Sequence, residues 1–363
     1  MRKIYYTLLL FFSVAAQCLA AARPNFVVIL MDDLGYGDIA PFGSKINRTP
    51  NLDRMAEEGM KLTSFYCAPV CSASRAQLLT GCYAKRVSVG LFEPVSRAGL
   101  NPEENTVAEL LQKRGYHTAL IGKWHLGDQP EFLPTRQGFG RFFGVPYSND
   151  QGGDGKPDRR GLVRPPLPLM DGEKVIEAPA DQSELTARLT EKAVEFIEEN
   201  KDNPFFLYFA PTATHVPIHP GSAFRGKSPH GLYSDWVEEA DWSVGRVLDT
   251  IRKLGLGKDT FVLFTSDNGP WLSKKGNAGV AAPLRGGKFS CWEGGLREPA
   301  IAWWPGTIPA GSSSDAVLSQ IDFLPTAVKL AGGELPPEPK IDGKDIMPLL
   351  AGKSQESPHE ALF

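Results

Sequence analysis

Four short apolar runs in this chain end on polar residues, and that pattern constrains the fold more than any other feature. Asn25 to Met31 (N-F-V-V-I-L-M) has the composition of a buried strand and runs straight into Asp32-Asp33. His117 to Ile121 reads as a strand leading into G-K-W-H-L-G, which carries Lys123 and His125. Phe205 to Ala210 is followed by P-T-A-T-H and so by His215, and Thr260 to Thr265 ends in S-D-N-G, with Asp267 and Asn268. Helical patterns separate these runs. Asn51 can cap a short helix through Glu58, Glu103 to Arg114 has helical spacing with a stop at Gly115, and Ser183 to Asn200 and Tyr233 to Leu254 are amphipathic. Apolar strands alternating with helices predict an α/β fold, with a mostly parallel central sheet flanked by helices. Ligands bind beyond the carboxyl ends of the strands in such sheets, so the four polar groups are expected at one edge. Residues 144 to 182, rich in Gly, Pro and Asp without period, read as a long loop over the sheet. No internal repeat is visible.

The first residues stand apart from that pattern. Arg2 and Lys3, the apolar stretch Ile4 to Ala16 and the small residues Ala20, Ala21 and Ala22 make a secretory signal peptide over 1–22. The expected destination is therefore outside the cytoplasm, periplasmic or secreted. Export permits disulfides among Cys67, Cys71, Cys82 and Cys291, with no pairing deducible from sequence. No later segment reads as transmembrane. A formal net charge of −3, with no basic run, argues against a nucleic-acid partner. Asn47-Arg48-Thr49 is a glycosylation sequon only in a eukaryotic host.

The polar groups share one chemistry. Asp32, Asp33, Asp267 and Asn268 offer only oxygen ligands, which suit Ca²⁺ or Mg²⁺. Zinc would draw more His or Cys. Arg75, Lys123 and Lys288 are cations without an equal number of nearby acids to pair them, and with a metal they make a pocket for a compact oxyanion. His125 and His215 are left for proton transfer. Cys71 opens C-S-A-S-R-A-Q-L-L-T-G at the start of a helical stretch, where unpaired N–H groups favour an anion, and Arg75 lies on the same face at i+4. The residues point to metal-assisted transfer or hydrolysis of a sulfate or phosphate ester, with a cysteine-derived nucleophile.

So assembled, the chain resembles the type I sulfatases of the alkaline phosphatase superfamily, close to the arylsulfatase A and N-acetylgalactosamine-6-sulfatase branch. The resemblance is carried by R-P-N-F-V-V-I-L-M-D-D-L-G-Y-G-D (23–38), T-P-N-L-D-R-M-A-E-E-G (49–59), C-S-A-S-R-A-Q-L-L-T-G (71–81), G-K-W-H-L-G (122–127), T-S-D-N-G (265–269) and G-G-K-F-S-C-W-E-G-G-L-R-E-P (286–299). It implies a catalytic domain over 23–335. Residues 336–363 would be a linker and the start of a C-terminal antiparallel subdomain that is largely absent, making the sequence a fragment.

The resemblance also implies roles. Cys71 would be oxidised to formylglycine by a maturation enzyme and hydrated to a geminal diol. Asp32, Asp33, Asp267, Asn268 and residue 71 itself would hold Ca²⁺. Asp267 would take the proton from the attacking hydroxyl, and Arg75 and Lys123 would stabilise the diol and the sulfate. His215 and Lys288 would hold the sulfate, one of them protonating the leaving alcohol. His125 would deprotonate the second hydroxyl, so that sulfate leaves without attack by water. Ala73 stands where the usual motif has Pro, which bears on which maturation system acts. The expected substrate is a sulfated small molecule or glycan. Two alternatives are a phosphate or phosphonate ester hydrolase of the same superfamily, and an inactive secreted binding protein. A two-metal phosphatase would need extra His and Asp ligands, and an inactive relative would normally have lost the nucleophile or a metal ligand.

Overall fold

Side chains of β1 (Asn25–Met31) alternate between two cores, Phe26, Val28 and Leu30 in one and Val27, Ile29 and Met31 in the other. A strand buried on both faces must have helices on both sides. The computed structural model describes residues 23–94, 96–157 and 161–363, so the signal sequence expected over 1–22 lies outside the described residues. The other strands are β2 (Met60–Tyr66), β3 (His117–Lys123), β4 (Arg141–Val145), β5 (Leu169–Asp171), β6 (Lys174–Glu177), β7 (Phe205–Ala210), β8 (Thr260–Ser266), β9 (Arg297–Trp303), β10 (Ser312–Ser314) and β11 (Leu318–Ser319). They form one sheet in the order β10-β2-β9-β8-β1-β7-β3-β4-β5-β6, with β11 also on β2. The centre, β8-β1-β7-β3-β4, is parallel, and antiparallel pairs enter at β9 and at β5-β6.

The helices are α1 (Pro50–Glu58), α2 (Cys71–Thr80), α3 (Val107–Gln112), α4 (Gln182–Glu199), α5 (Leu232–Lys253), α6 (Glu293–Leu296), α7 (Phe323–Leu330) and α8 (Met347–Leu350). Residues of α1, α4 and α5 fill the core on the Val27 face, and those of α2, α3, α7 and α8 the core on the Phe26 face. Ile341, Ile346, Leu349 and Leu350, from the segment after 335, are buried in that second core.

The mixed α/β sheet and its helices match expectation, and four local readings change. The helix expected over Glu103–Arg114 spans only Val107–Gln112. The Thr106 hydroxyl accepts the Glu109 N–H at 3.1 Å, and Glu109 Oε2 accepts the Thr106 N–H at 2.9 Å, a reciprocal cap that fixes the start. Asn51 does not cap α1, because Thr49 holds the cap position and Pro50 the first helical one. The Asn51 amide instead donates to Asp241 Oδ2 at 2.7 Å, tying α1 to α5. The stretch 144–182 is not all loop, since β5 and β6 form a hairpin that extends the sheet from β4. Asn47 is buried with its amide donating to the Asp38 carbonyl at 2.8 Å, which leaves no room for a glycan.

Candidate active site

Strands β8, β1, β7 and β3 are neighbours and parallel, so their carboxyl ends emerge side by side. Asp267-Asn268, Asp32-Asp33, His215 and Lys123-His125 therefore leave the sheet along one edge. The strand-like hydrogen bonding continues past the strands. The Asp32 N–H donates to the Ala213 carbonyl at 2.9 Å, the Thr214 N–H to the Asp32 carbonyl at 2.8 Å, and the Asp267 N–H to the Met31 carbonyl at 3.0 Å. Asp33 and His125 then turn with φ of 61° and 62°. Such left-handed values are uncommon outside glycine, and they concentrate where surrounding structure fixes a functional side chain. Gly122 is required one residue before Lys123, because a Cβ there would lie 2.0 Å from the Ala210 carbonyl oxygen.

Helix α2 supplies the remaining part. All ten of its residues are buried, which marks a core helix. Cys71, at its first position, puts Sγ 2.9 Å from Lys288 Nζ, 3.7 Å from Asp32 Oδ1 and 3.8 Å from Asp33 Oδ1. One turn on, Arg75 donates from Nη2 and Nε to Asp267 Oδ2 at 2.7 and 3.1 Å, and from Nη1 to the Lys123 carbonyl at 2.8 Å. All ten positions singled out in the sequence fall within this one buried constellation, with His125 on its flank.

One expectation about charge changes. Arg75, Lys123 and Lys288 do not lack acids. Lys123 Nζ donates to Asp32 Oδ2 at 2.6 Å and Lys288 Nζ to Asp33 Oδ1 at 2.6 Å, while Arg75 holds Asp267. Buried charges must be paired, and the expected metal-binding acids are the carboxylates that pair these cations. Three acids and three cations leave the floor neutral. Burial would raise Asp32, but Lys123, His215, Arg75 and Lys288 more than offset it and hold the acid below the usual carboxylate range. Asp267 goes the other way, pushed up to about 6 by burial and by the charge of Asp32, against Arg75 and Lys123. Burial also pushes the Cys71 thiol well up, helped by Asp267.

The two histidines differ. His125 Nε2 lies 3.0 Å from the Phe92 carbonyl, so that nitrogen carries the proton, and the buried Nδ1 has no hydrogen-bond partner among the described residues. Burial, with Lys123 and Arg75 nearby, lowers the His125 pKa well below its ordinary value. It is a neutral ring with a free lone pair, fit to accept a proton. His215 Nδ1 lies 2.6 Å from the Val216 carbonyl and donates to it, which turns Nε2 toward Asp33 Oδ2 at 3.5 Å. Burial lowers the pKa of this ring too, against the pull of Asp33.

Asp33 Oδ2 and Asn268 Oδ1 are buried and accept no hydrogen bond from the described residues. Ligand atoms of Asp32, Asp33, Cys71 and His215 lie within 4.8 Å of one another. A lone pair on His215 Nε2 facing a bare carboxylate oxygen calls for a positive charge between them, and oxygen-rich donors suit a hard divalent cation. The residues fit such an ion. Three supporting residues escaped the sequence reading. Ser148 Oγ accepts from Lys123 Nζ at 3.0 Å, and Gln320 Nε2 donates to the Ser266 carbonyl at 2.7 Å. Tyr233 bonds Thr214 Oγ1 at 3.0 Å, behind Asp32. Ser148 follows β4, so the strand-end rule would have found it had β4 been read as a strand. Cys67, Cys71, Cys82 and Cys291 form no disulfide among the described residues.

A mostly parallel α/β sheet with acids, cations and imidazoles at its carboxyl edge defines a hydrolase-type site for a compact oxyanion ester. The sulfatase family model matches residues 24–333, and the chain belongs to the sulfatase family. It is 43% identical to arylsulfatase A of Homo sapiens over 374 residues, covering 98% of this chain and 73% of that one. It is 42% identical to N-acetylgalactosamine-6-sulfatase of Sus scrofa, covering 93% and 68%. The solved structure of Ps i-CgsB in complex with k-i-k-neocarrahexaose superposes with a TM-score of 0.82 at 32% identity, covering 93% of this chain and 78% of that one. Like these relatives, the chain is a sulfuric ester hydrolase.

Proposed function

We propose that the protein hydrolyses sulfate monoesters of aryl or carbohydrate alcohols, using a formylglycine made from Cys71 by a maturation enzyme, with Ca²⁺ at Asp32, Asp33, Asp267, Asn268 and residue 71. The observation that carries this reading is the approach of Lys288 Nζ, Asp32 and Asp33 to one sulfur, Cys71 Sγ, at 2.9, 3.7 and 3.8 Å. That sulfur marks where the reacting atom of the modified side chain would stand. The hydrated aldehyde supplies a nucleophilic hydroxyl and a second one for release, and the cation supplies charge for the sulfate oxygens.

The chain's own residues do the rest. Asp267, with its pKa near 6, accepts the proton of the attacking hydroxyl, and Arg75 orients it through two hydrogen bonds. Lys123 and Lys288 bind sulfate oxygens, and His215 joins them when its Nε2, which faces Asp33 Oδ2, carries a proton. Lys288 or His215 also gives a proton to the departing alcohol. His125 takes a proton at Nδ1, the lone pair left free by the Phe92 carbonyl. A neutral floor that gains a divalent cation is left with two positive charges, which a sulfate dianion cancels, so the site favours charge that builds on oxygen. Residues 1–22 would direct export to the periplasm or beyond, and among the described residues no helix is long and apolar enough to cross a membrane. Residues 23–335 would be the catalytic domain.

Peptide mass spectrometry across residue 71 of protein from a host with a maturation system should find an aldehyde in place of the thiol. The same preparation should release sulfate from 4-nitrophenyl sulfate, lose that activity on chelation and regain it with Ca²⁺. Ordinary turnover by protein with an unmodified thiol, or after exhaustive removal of metal, would overturn the corresponding half of the reading.

A further inference from the structure

Beside the floor lies a loop of unusual composition. Residues 271–292 contain Lys274, Lys275, Arg285 and Lys288 and no acidic residue, together with Trp271, Phe289 and Trp292. Lys288 is used by the floor. Lys274 sits over the Trp271 ring at 3.9 Å, and Arg285 over the Trp292 ring at 3.5 Å. Neither has an acidic partner among the described residues. An aromatic face positions a cation without cancelling its charge, as a carboxylate would. Both charges therefore remain available to an anion from solution.

The loop is fixed to the floor. The Trp271 ring lies 5.1 Å from Lys288 Nζ and 5.8 Å from the His215 ring. The Lys288 N–H donates to the Pro270 carbonyl at 3.0 Å, the Gly294 N–H to the Arg285 carbonyl at 2.8 Å, and the Val280 N–H to Asp38 Oδ1 at 2.9 Å. Phe289 stands edge-on to Trp271 at 5.6 Å and is 53% exposed. Its φ is 67°, in the region that favours glycine, a conformation costly for a bulky residue. Apart from its edge contact with Trp271, this ring, one residue after Lys288 and held in a costly conformation, turns half its surface to solvent. It is explained by contact with something that enters the site.

Charge decides what enters. The single sulfate of an aryl or sterol ester is already met by Arg75, Lys123 and Lys288. Lys274 and Arg285, on the same loop as Lys288 and outside the floor's ion pairs, match anionic groups that such a molecule lacks. We propose that 271–292 is a second binding region for a multiply charged sulfated oligosaccharide. Phe289 stacks on a sugar ring next to the scissile ester, and Lys274 and Arg285 bind sulfate or carboxylate groups on neighbouring sugars. This deepens the sulfate ester reading and rests on it.

The test uses the full matured enzyme and size-defined hexasaccharides of chondroitin sulfate, heparin and carrageenan, with an unsulfated maltohexaose as control. Calorimetry should show wild-type binding to at least one sulfated chain and not to the control. The double variant Lys274→Ala/Arg285→Ala should weaken that binding about tenfold and flatten its salt dependence. Phe289→Gly should weaken it several-fold with the salt dependence kept. In turnover, the double variant should lower kcat/KM for the hexasaccharide relative to that for 4-nitrophenyl sulfate by a similar factor. Equal binding by the double variant and wild type, or binding of none of the sulfated chains, overturns the proposal. Sulfate release from no ester at all, with these binding differences intact, overturns the hydrolytic reading alone.

Discussion

Lys123, on the floor of the site, and Lys274, on the loop that packs against it through Trp271, are held in opposite ways. Lys123 is fully buried between Asp32 Oδ2 at 2.6 Å and Ser148 Oγ at 3.0 Å. Lys274 is exposed on an indole face, with no acid beside it among the described residues. On the floor, removal from water makes an unpaired charge too costly, so every cation there carries its own acid. On the rim, water bears that cost and an aromatic ring only limits where the ammonium can go. The floor is therefore neutral and rigid, suited to charge that appears during reaction. The rim keeps a net positive field that salt screens, suited to capturing a polyanion.

The largest effect should come from Cys71→Ala. It takes away the one atom that Lys288, Asp32 and Asp33 all approach, so sulfate release should fall more than about a thousandfold, as when a nucleophile is removed. The change is small and the thermal midpoint should stay close to wild type. Residual turnover within tenfold of wild type would mean that the floor converges on the wrong atom. Arg75→Ala comes next and probes the pairing rule itself. It leaves Asp267 buried without its cation, which should cost about 3–5 kcal/mol of stability in the presence of a chelator. The loss should shrink in Ca²⁺, because a divalent ion can take the place of the guanidinium charge. Urea unfolding with and without Ca²⁺ measures both, and an equal loss in the two conditions would show that Asp267 does not face the cation. Rim substitutions should be milder than either.

Much of the floor was legible because each of its strands is a short apolar run with a polar residue at its end. Period and composition place such strands, and the strand-end rule places the site. What escaped is governed by local competition. The helix after Glu103 begins late because a Thr106–Glu109 cap outweighs the helical spacing of residues 103–105. The β5-β6 hairpin hides in strands of three and four residues. Strand β9 carries Pro299, which argues against a strand, yet its pairing with β8 involves only Ile301, Ala302 and Trp303. The pairing of Arg75, Lys123 and Lys288 with the acids was unreadable because it depends on which side chains meet across 91 to 255 residues of chain. The rim was missed for a different reason. Cations resting on aromatic rings leave no periodic trace.

The smallest effect tests pairing where it is absent. Asp38, Glu239 and Asp241 are buried with no cation beside them among the described residues. Burial pushes Asp38 up to about 7 despite hydrogen bonds from Tyr233, Gly35 and Val280, Glu239 up to about 7 despite the Gly221 N–H, and Asp241 up to about 6. Asp32, equally buried but among cations, is lowered instead. The signs give opposite pH dependences. A raised carboxyl binds its proton more tightly in the folded chain, so its contribution is complete below about pH 4 and is lost as pH rises through about 7. The contribution of Asp32 is present above about pH 4 and is lost as pH falls further. Stability measured by urea unfolding in chelator should therefore peak near pH 5 and decline by a few kcal/mol toward pH 8. Glu239→Gln keeps an acceptor for the Gly221 N–H and cannot ionise, so its decline should be shallower by about 1–3 kcal/mol. A wild-type profile that is flat or rising from pH 5 to pH 8 would show that these acids find countercharge in the fold, and that burial without a cation does not set their ionisation.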